Sequence, residues 1–205
     1  MTRELWFKIT TARRELDPEG RFSHPVPQAD NLPDPDATEV QSHEFKKPDF
    51  QWIHDDDSEA DERYIQKSFA IECKRLGAPT KSRWRLNEQY VVGGMNRFRD
   101  PRWKYGRGMA EGAMIGFIQN MEFEAISSAI DSDSKRIGFD RISRDPRGWQ
   151  ERSVSRLGNS FRREFPITPF RLFHLWLDIR DVPLKAKRSV HPAPKCAPKR
   201  RRTPR

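Results

Sequence analysis

Ala113-Met114-Ile115-Gly116-Phe117-Ile118 is the longest uncharged apolar run in the chain. It is far short of the ~18 residues that span a bilayer, and a short continuous run of this kind suits a strand buried on both faces. Such a strand needs a covering layer on each side. The chain is therefore expected to build a sheet between helices rather than a sheet with one face in water.

The flanking patterns supply those layers. Leu5, Ile9, Ala12 and Leu16 recur at helical spacing, Thr2 stands at the cap position, and Asp17-Pro18-Glu19-Gly20 stops the pattern, which predicts a helix over 2–16. Pro25, Pro27, Pro33 and Pro35 restrict 23–38 to an extended loop or an edge strand. Residues 49–54 and 69–74 carry aromatic-rich strand patterns, with the acidic stretch 55–62 between them as the tip of a hairpin. A second helix is expected over 87–98, with Tyr90, Val91, Gly94, Met95 and Phe98 on one face, although Gly93 and Gly94 each cost ~1 kcal/mol against alanine. Phe123, Ile126, Ile130 and Ile137 mark a third helix, with Glu122 and Glu124 at its start and Lys135 and Arg136 at its end, as the macrodipole favours. Residues 170–179 read as a last strand. Arg-Asp-Pro-Arg occurs at 99–102 and again at 144–147, and both copies read as turn chemistry. One α/β domain over 1–181, with a mixed central sheet flanked by helices, is the expectation.

Charge divides the chain differently. Nine basic and no acidic residues lie beyond 181, and removing them from the 39 Lys and Arg leaves thirty cations against 30 carboxylates. Residues 1–181 are thus neutral, and the formal charge of +9 resides in the Pro-rich segment 182–205. Its composition predicts a disordered basic tail. Such a tail serves as an electrostatic arm for nucleic acid or as a solubilising extension. Only Cys73 and Cys196 are present, which excludes a disulfide framework and a cysteine-built zinc cluster and points to a reducing, cytoplasmic compartment. Residues 1–4 open an amphipathic segment rather than a signal peptide, and no membrane association is expected. The chain contains no Gly-rich nucleotide loop ending in Gly-Lys-Ser/Thr and no nucleophile-elbow motif, which argues against ATP or GTP use and against hydrolase triads.

The residues that point to chemistry lie in the predicted hairpin. If Asp49 stands opposite Glu72, the paired positions sum to 121 and His54 faces Lys67. Side chains alternate along a strand, so Glu72 and Lys74 share one face, Asp49 joins them across the ladder, and Phe69, Ile71 and Cys73 turn to an apolar layer behind. Two carboxylates on one face offer the hard oxygen ligands that Mg²⁺ takes, and Mn²⁺ is a suitable substitute. Such an ion stabilises charge on a phosphate and lowers the pKa of a water. A preorganised Lys74 would orient the attacking water or stabilise the pentavalent phosphorane.

Pro48-Asp49 before one strand and Glu72-Cys73-Lys74 ending another resemble the PD-(D/E)XK nuclease superfamily, the fold of many restriction endonucleases. The helix with Gln89-Tyr90 and Arg97, followed by the 112–118 strand, is also similar to that pattern. The resemblance implies a restriction-endonuclease-like fold and a Mg²⁺-dependent nuclease acting on DNA. Asp49 and Glu72 would be metal ligands, and Asp49, Glu72 and Lys74 catalytic residues. The resemblance also implies a further glutamate on the first helix, for which Glu4 is the only early candidate. The motif is short: Glu44-Phe45-Lys46 repeats the tripeptide, and Pro33-Asp34 and Pro35-Asp36 repeat the dipeptide. Placement on strand patterns with an apolar reverse face distinguishes Asp49, Glu72 and Lys74.

Lys81, Arg83, Arg85, Arg97, Arg99, Arg102, Lys104 and Arg107 alternate with Trp84, Tyr90, Trp103 and Tyr105, a mixture that suits phosphate contact with base stacking, or else a surface helix with core aromatics. The 55–62 run lacks the glycine and terminal glutamate of a calcium loop and reads as a solvated tip. His54 and His174, the histidines within strand patterns, read as packing residues rather than general bases. Two other function classes stand beside the nuclease: a non-catalytic nucleic-acid-binding or assembly protein that keeps the fold, and an RNase. A second copy of the chain, forming a homodimer, is a further candidate partner.

Overall fold

In the computed structural model, which describes residues 2–20, 23–79, 84–165 and 167–181, the elements are α1 (Thr2–Leu16), β1 (Val26–Pro27), β2 (Phe50–Asp55), β3 (Gln66–Leu76), α2 (Leu86–Val92), β4 (Glu111–Ile118), α3 (Phe123–Arg136), β5 (Ser143–Arg144), β6 (Gln150–Glu151), β7 (Val154–Phe161) and β8 (Phe170–Asp178). They form an α/β architecture with one mixed, eight-stranded sheet in the order β1-β2-β3-β4-β8-β7-β5, with β6 also paired to β7. The β3–β4 and β4–β8 pairings are parallel, and β1–β2, β2–β3 and β7–β8 are antiparallel. The segment 182–205, expected to be a disordered tail, lies outside the described residues, as do Lys81 and Arg83.

Strand β4 occupies the middle, buried from Gly112 to Ile118. Its odd-numbered residues Ala113, Ile115 and Phe117 join Phe50 and Ile71 in one apolar layer, against which Leu5, Trp6 and Ile9 of α1 pack. Met114 and Ile118 face the other layer, with Ala70 and Leu76 of β3, Tyr90 and Val91 of α2, and Ile126 and Ile130 of α3. Helix α1 thus covers one face of the sheet, and α2 and α3 cover the other. The β2–β3 ladder pairs Phe50 with Ile71 and His54 with Lys67, so every pair sums to 121. At its tip Lys67 pairs with Glu59 at 2.9 Å.

The second helix is shorter than its apolar pattern predicts. It ends at Val92, and a separate 3-10 turn covers Met95–Phe98. Gly93 caps the helix, and Gly94 leaves helical geometry at φ −126°, ψ −84°. The paired glycines, weak helix formers, let the chain turn there. Both Arg-Asp-Pro-Arg segments form the same turn: Arg102 and Arg147 each donate a backbone N–H to the carboxylate two residues earlier, at 2.9 Å.

Strand β7, which no apolar alternation announces, completes the core. Its inward positions are Ser155, Leu157, Asn159 and Phe161. Asn159 belongs to a buried hydrogen-bond chain. Trp176 donates Nε1–H to the Tyr90 hydroxyl at 3.1 Å, and that hydroxyl meets His174 Nδ1 at 2.8 Å. His174 Nε2 meets Asn159 Oδ1 at 3.1 Å, and Asn159 Nδ2 reaches the Asp140 carbonyl at 3.4 Å. An indole N–H only donates and a carbonyl only accepts, so the chain has one polarity. Tyr90 donates to His174, whose proton sits on Nε2. This assigns His174 the structural role expected of it. His54 is instead exposed at the end of β2.

Complete burial holds the His174 imidazole neutral, pulling its pKa down to about 3. The unfolded chain takes up a proton near the ordinary histidine value of about 6.5, so His174 contributes stability above that pH that is lost as pH falls toward 3. His174→Gln is expected to cost about 1–3 kcal/mol at pH 7 and to flatten the acid side of the stability profile. Urea midpoints between pH 7 and 4 measure both effects, and parallel profiles for the two proteins would contradict this role.

Candidate active site

Three sequence-selected residues meet on the α2 side of the sheet. Glu72 alternates with Ile71 and Cys73, which belong to the α1-side layer, and therefore points the other way. Its carboxylate is almost wholly buried, and Oε1 accepts hydrogen bonds from Lys74 Nζ and, at 2.6 Å, from Arg97 Nη1. Its other oxygen, Oε2, is buried without a hydrogen-bond partner. Burial raises the Glu72 pKa; the charges of Lys74 and Arg97 oppose that rise, and the nearby Asp49 carboxylate adds to it.

Asp49 precedes β2 at the point where the ladder with β3 stops. Its Oδ2 accepts the Cys73 N–H at 2.7 Å, replacing the strand partner that this amide would otherwise require. Its backbone carbonyl accepts from the Gln28 N–H at 3.2 Å. The Cys73 thiol lies on the opposite, apolar side, and burial pushes its pKa up, so it is packing rather than a nucleophile.

The segment after α2 roofs the site. The Arg97 guanidinium lies 4.0 Å from the centre of the Trp103 ring, and Trp103 meets Tyr105 edge to face at 5.7 Å. Asn31 anchors the Trp103 carbonyl at 2.8 Å. Arg163, at the end of β7, donates to the carbonyls of Tyr105, Gly106, Met109 and Ile167 at 2.7–3.2 Å and stacks on Phe170. This clasp fixes the 105–109 turn.

Asp49 and Glu72 would be the ligands of any cation bound here. Asp49 Oδ1 and Glu72 Oε2 carry no hydrogen bond among the described residues, and two carboxylates suit Mg²⁺ or Mn²⁺, which keep much of their hydration. Among the described residues no group of three or more His, Cys, Asp or Glu is gathered so as to hold a metal ion, at this site or at any other. Glu4, the candidate fourth acidic residue, lies on an exposed position of α1, a helix packed on the opposite face from Glu72. It does not join the site, because the α1 stripe of Leu5, Trp6 and Ile9 seats that helix on the apolar layer. A concavity of about 710 Å³ lies on the α1 side, lined by Ile9, Leu16, Trp52 and Phe69, away from these carboxylates.

The basic cluster does not form one open surface. Lys104 and Arg107 bind the buried Asp34 carboxylate at 2.6 and 2.9 Å. Burial would raise the Asp34 pKa, but the Lys104 hydrogen bond and the charge of Arg107 hold it below the usual range. Arg99 donates to the Ile137 and Gly138 carbonyls and covers the Phe139 ring. Arg102 is paired with Asp100, and Arg85 lies near Glu88 and Asp133. Arg97 turns inward to Glu72. Sequence pattern missed that inward role and the roof of Trp103 and Tyr105, because the Gly93-Gly94 break that redirects this segment hides which side chains face the sheet.

No family model, curated protein or solved structure matches the chain. The site's geometry and chemistry therefore carry the functional reading.

Gly94 makes room for this arrangement. A Cβ there would sit 2.4 Å from the Tyr90 carbonyl oxygen, 2.5 Å from Met114 Cε and 3.3 Å from the Lys74 stem. Gly94→Ala is expected to cost about 2 kcal/mol or more, read as a lower urea midpoint. An unchanged midpoint would contradict the close approach.

Proposed function

We propose that this protein is a Mg²⁺-dependent nuclease of restriction-endonuclease-like fold that hydrolyses DNA phosphodiester bonds, with Mn²⁺ able to substitute. One observation carries the reading: the Glu72 carboxylate shares one face with Asp49 and Lys74, and its Oε2 is buried without a partner. The α1 helix, the antiparallel β2–β3 pair bearing these residues, and parallel strands β4 and β8 support the resemblance in fold.

Asp49 and Glu72 would hold the ion, which supplies a Lewis acid for the phosphate and a more acidic water. Lys74 would supply fixed positive charge where the phosphorane develops negative charge. Arg97 shares Glu72 Oε1 with Lys74 and leaves Oε2 for the ion. The neutral body leaves capture of a polyanion to the nine basic residues of 182–205.

A second reading is favoured by the pairing of Lys74 and Arg97 with Glu72. On that reading the cluster is a structural ion network in a non-catalytic nucleic-acid-binding protein. The two diverge on plasmid DNA. The nuclease nicks or linearises it with Mg²⁺ and stops on chelation, and Asp49→Ala, Glu72→Gln and Lys74→Ala each slow cleavage by about 10²–10³-fold or more without unfolding the protein. Undiminished cleavage by all three variants would overturn the proposal. So would an inactive wild type whose DNA binding is indifferent to metal and weakens on removal of 182–205. Preferential cleavage of RNA would reassign the substrate.

A further inference from the structure

Arginines gather around a second concavity, of about 430 Å³. Asn96, Arg99 and Asp100 line it from one side, and Arg162, Arg163 and Glu164, which follow β7, from the other. Its size falls within the about 300–1,000 Å³ of small-molecule sites. Asp100 does not neutralise it, because both of its carboxylate oxygens are taken by Arg102 at 2.6–3.1 Å. Three guanidiniums then stand against one carboxylate, that of Glu164. Packing fixes two of them. Arg99 donates to the Ile137 and Gly138 carbonyls and to Asn96 Oδ1 at 2.7–3.1 Å, and Arg163, only 6% exposed, donates to four carbonyls. Those acceptors are neutral dipoles, which satisfy N–H groups and leave the positive charge in place. Donors remain as well. A guanidinium has five N–H groups, of which Arg99 commits three, and neither the Asn96 side-chain amide nor the exposed Arg162 guanidinium donates to any group among the described residues.

We propose that this concavity binds a small phosphate dianion, either inorganic phosphate or the phosphate group of a mononucleotide-sized ester. The charge of a phosphate group near pH 7, about −1.5 to −2, balances the excess of three cations over one carboxylate, which a monovalent carboxylate ligand would not. Its several oxygens accept from donors on both walls, and the planar guanidinium fork matches phosphate geometry. Burial pulls the Arg163 pKa down to about 9 and also lowers that of Arg99, with Asp100 opposing the latter shift. An anion between these groups relieves that cost. Glu164 is the opposing charge on the rim. The assignment does not depend on the cation site of the preceding section.

The test is calorimetric titration of the full chain with inorganic phosphate and with deoxyadenosine monophosphate, at fixed ionic strength and with EDTA present. Arg162 and Glu164 are both exposed, so variants there keep the fold, which thermal melting checks. Wild type is expected to bind one anion per chain saturably. Arg162→Ala should weaken that binding by about 10-fold or more, as loss of a charged hydrogen bond does. Glu164→Gln should tighten it by about 2–5-fold, the effect of a rim charge. Tighter binding of the nucleotide than of inorganic phosphate identifies the ester as the ligand, and equal or weaker binding identifies the free anion. The proposal is overturned if no saturable binding occurs up to about 10 mM, a very weak affinity. It is equally overturned if Arg162→Ala keeps wild-type affinity, which would place any binding on other basic residues such as those of 182–205, or if Glu164→Gln binds more weakly. Because EDTA removes divalent metal throughout, each of these outcomes leaves the nuclease reading to its own test.

Discussion

Removing the Glu72 carboxylate from water is the constraint on which the surrounding structure depends. A lone buried carboxylate would protonate or unfold its surroundings. Here Lys74 and Arg97 both donate to Oε1. Bringing those cations in requires the rest of the arrangement. Gly94 admits the Lys74 stem and reverses the chain after α2, Trp103 receives the Arg97 guanidinium, and Arg163 ties the following turn to the end of β7. The charges of Asp49, Glu72, Lys74 and Arg97 sum to zero, which keeps the folded site electrically balanced while leaving one Glu72 oxygen unused.

The two faces of β3 divide the labour. Phe69, Ile71 and Cys73 lie in the α1-side layer, which gives the strand a rigid apolar backing, while Glu72 and Lys74 occupy the other side within a polar cluster. Burial on both sides of a central strand is what makes that division mechanically firm. Helix α1 serves as backing, which is why an acidic residue near its start stands across the sheet from the carboxylates. Among the described residues no helix is long and apolar enough to cross a membrane.

Legibility followed the reach of local pattern. Alternation between apolar and charged positions in 49–54 and 69–74 marked two strands, the supposition that Asp49 stands opposite Glu72 gave the β2–β3 register that the structure has, and the unbroken run at 113–118 was enough to find the central strand. Strand β7 escaped because its buried positions include Ser155 and Asn159. Asn159 is tolerated inside only because His174, 15 positions later, accompanies it across the ladder. The basic residues at 97–107 were legible as a cluster but not in their orientation. Arg99 ends on carbonyls beyond α3, and Lys104 and Arg107 end on Asp34, some seventy residues earlier. These partners are set by tertiary packing, and no spacing rule within the segment encodes them.

The central claim is that Asp49 and Glu72 share a divalent cation, and the most direct measurement is anomalous diffraction from crystals soaked in Mn²⁺. The account predicts one strong peak between the two carboxylates, lost in Glu72→Gln crystals that retain the fold. A map without a peak there, with Lys74 and Arg97 still closed on Glu72 at saturating Mn²⁺, would contradict it.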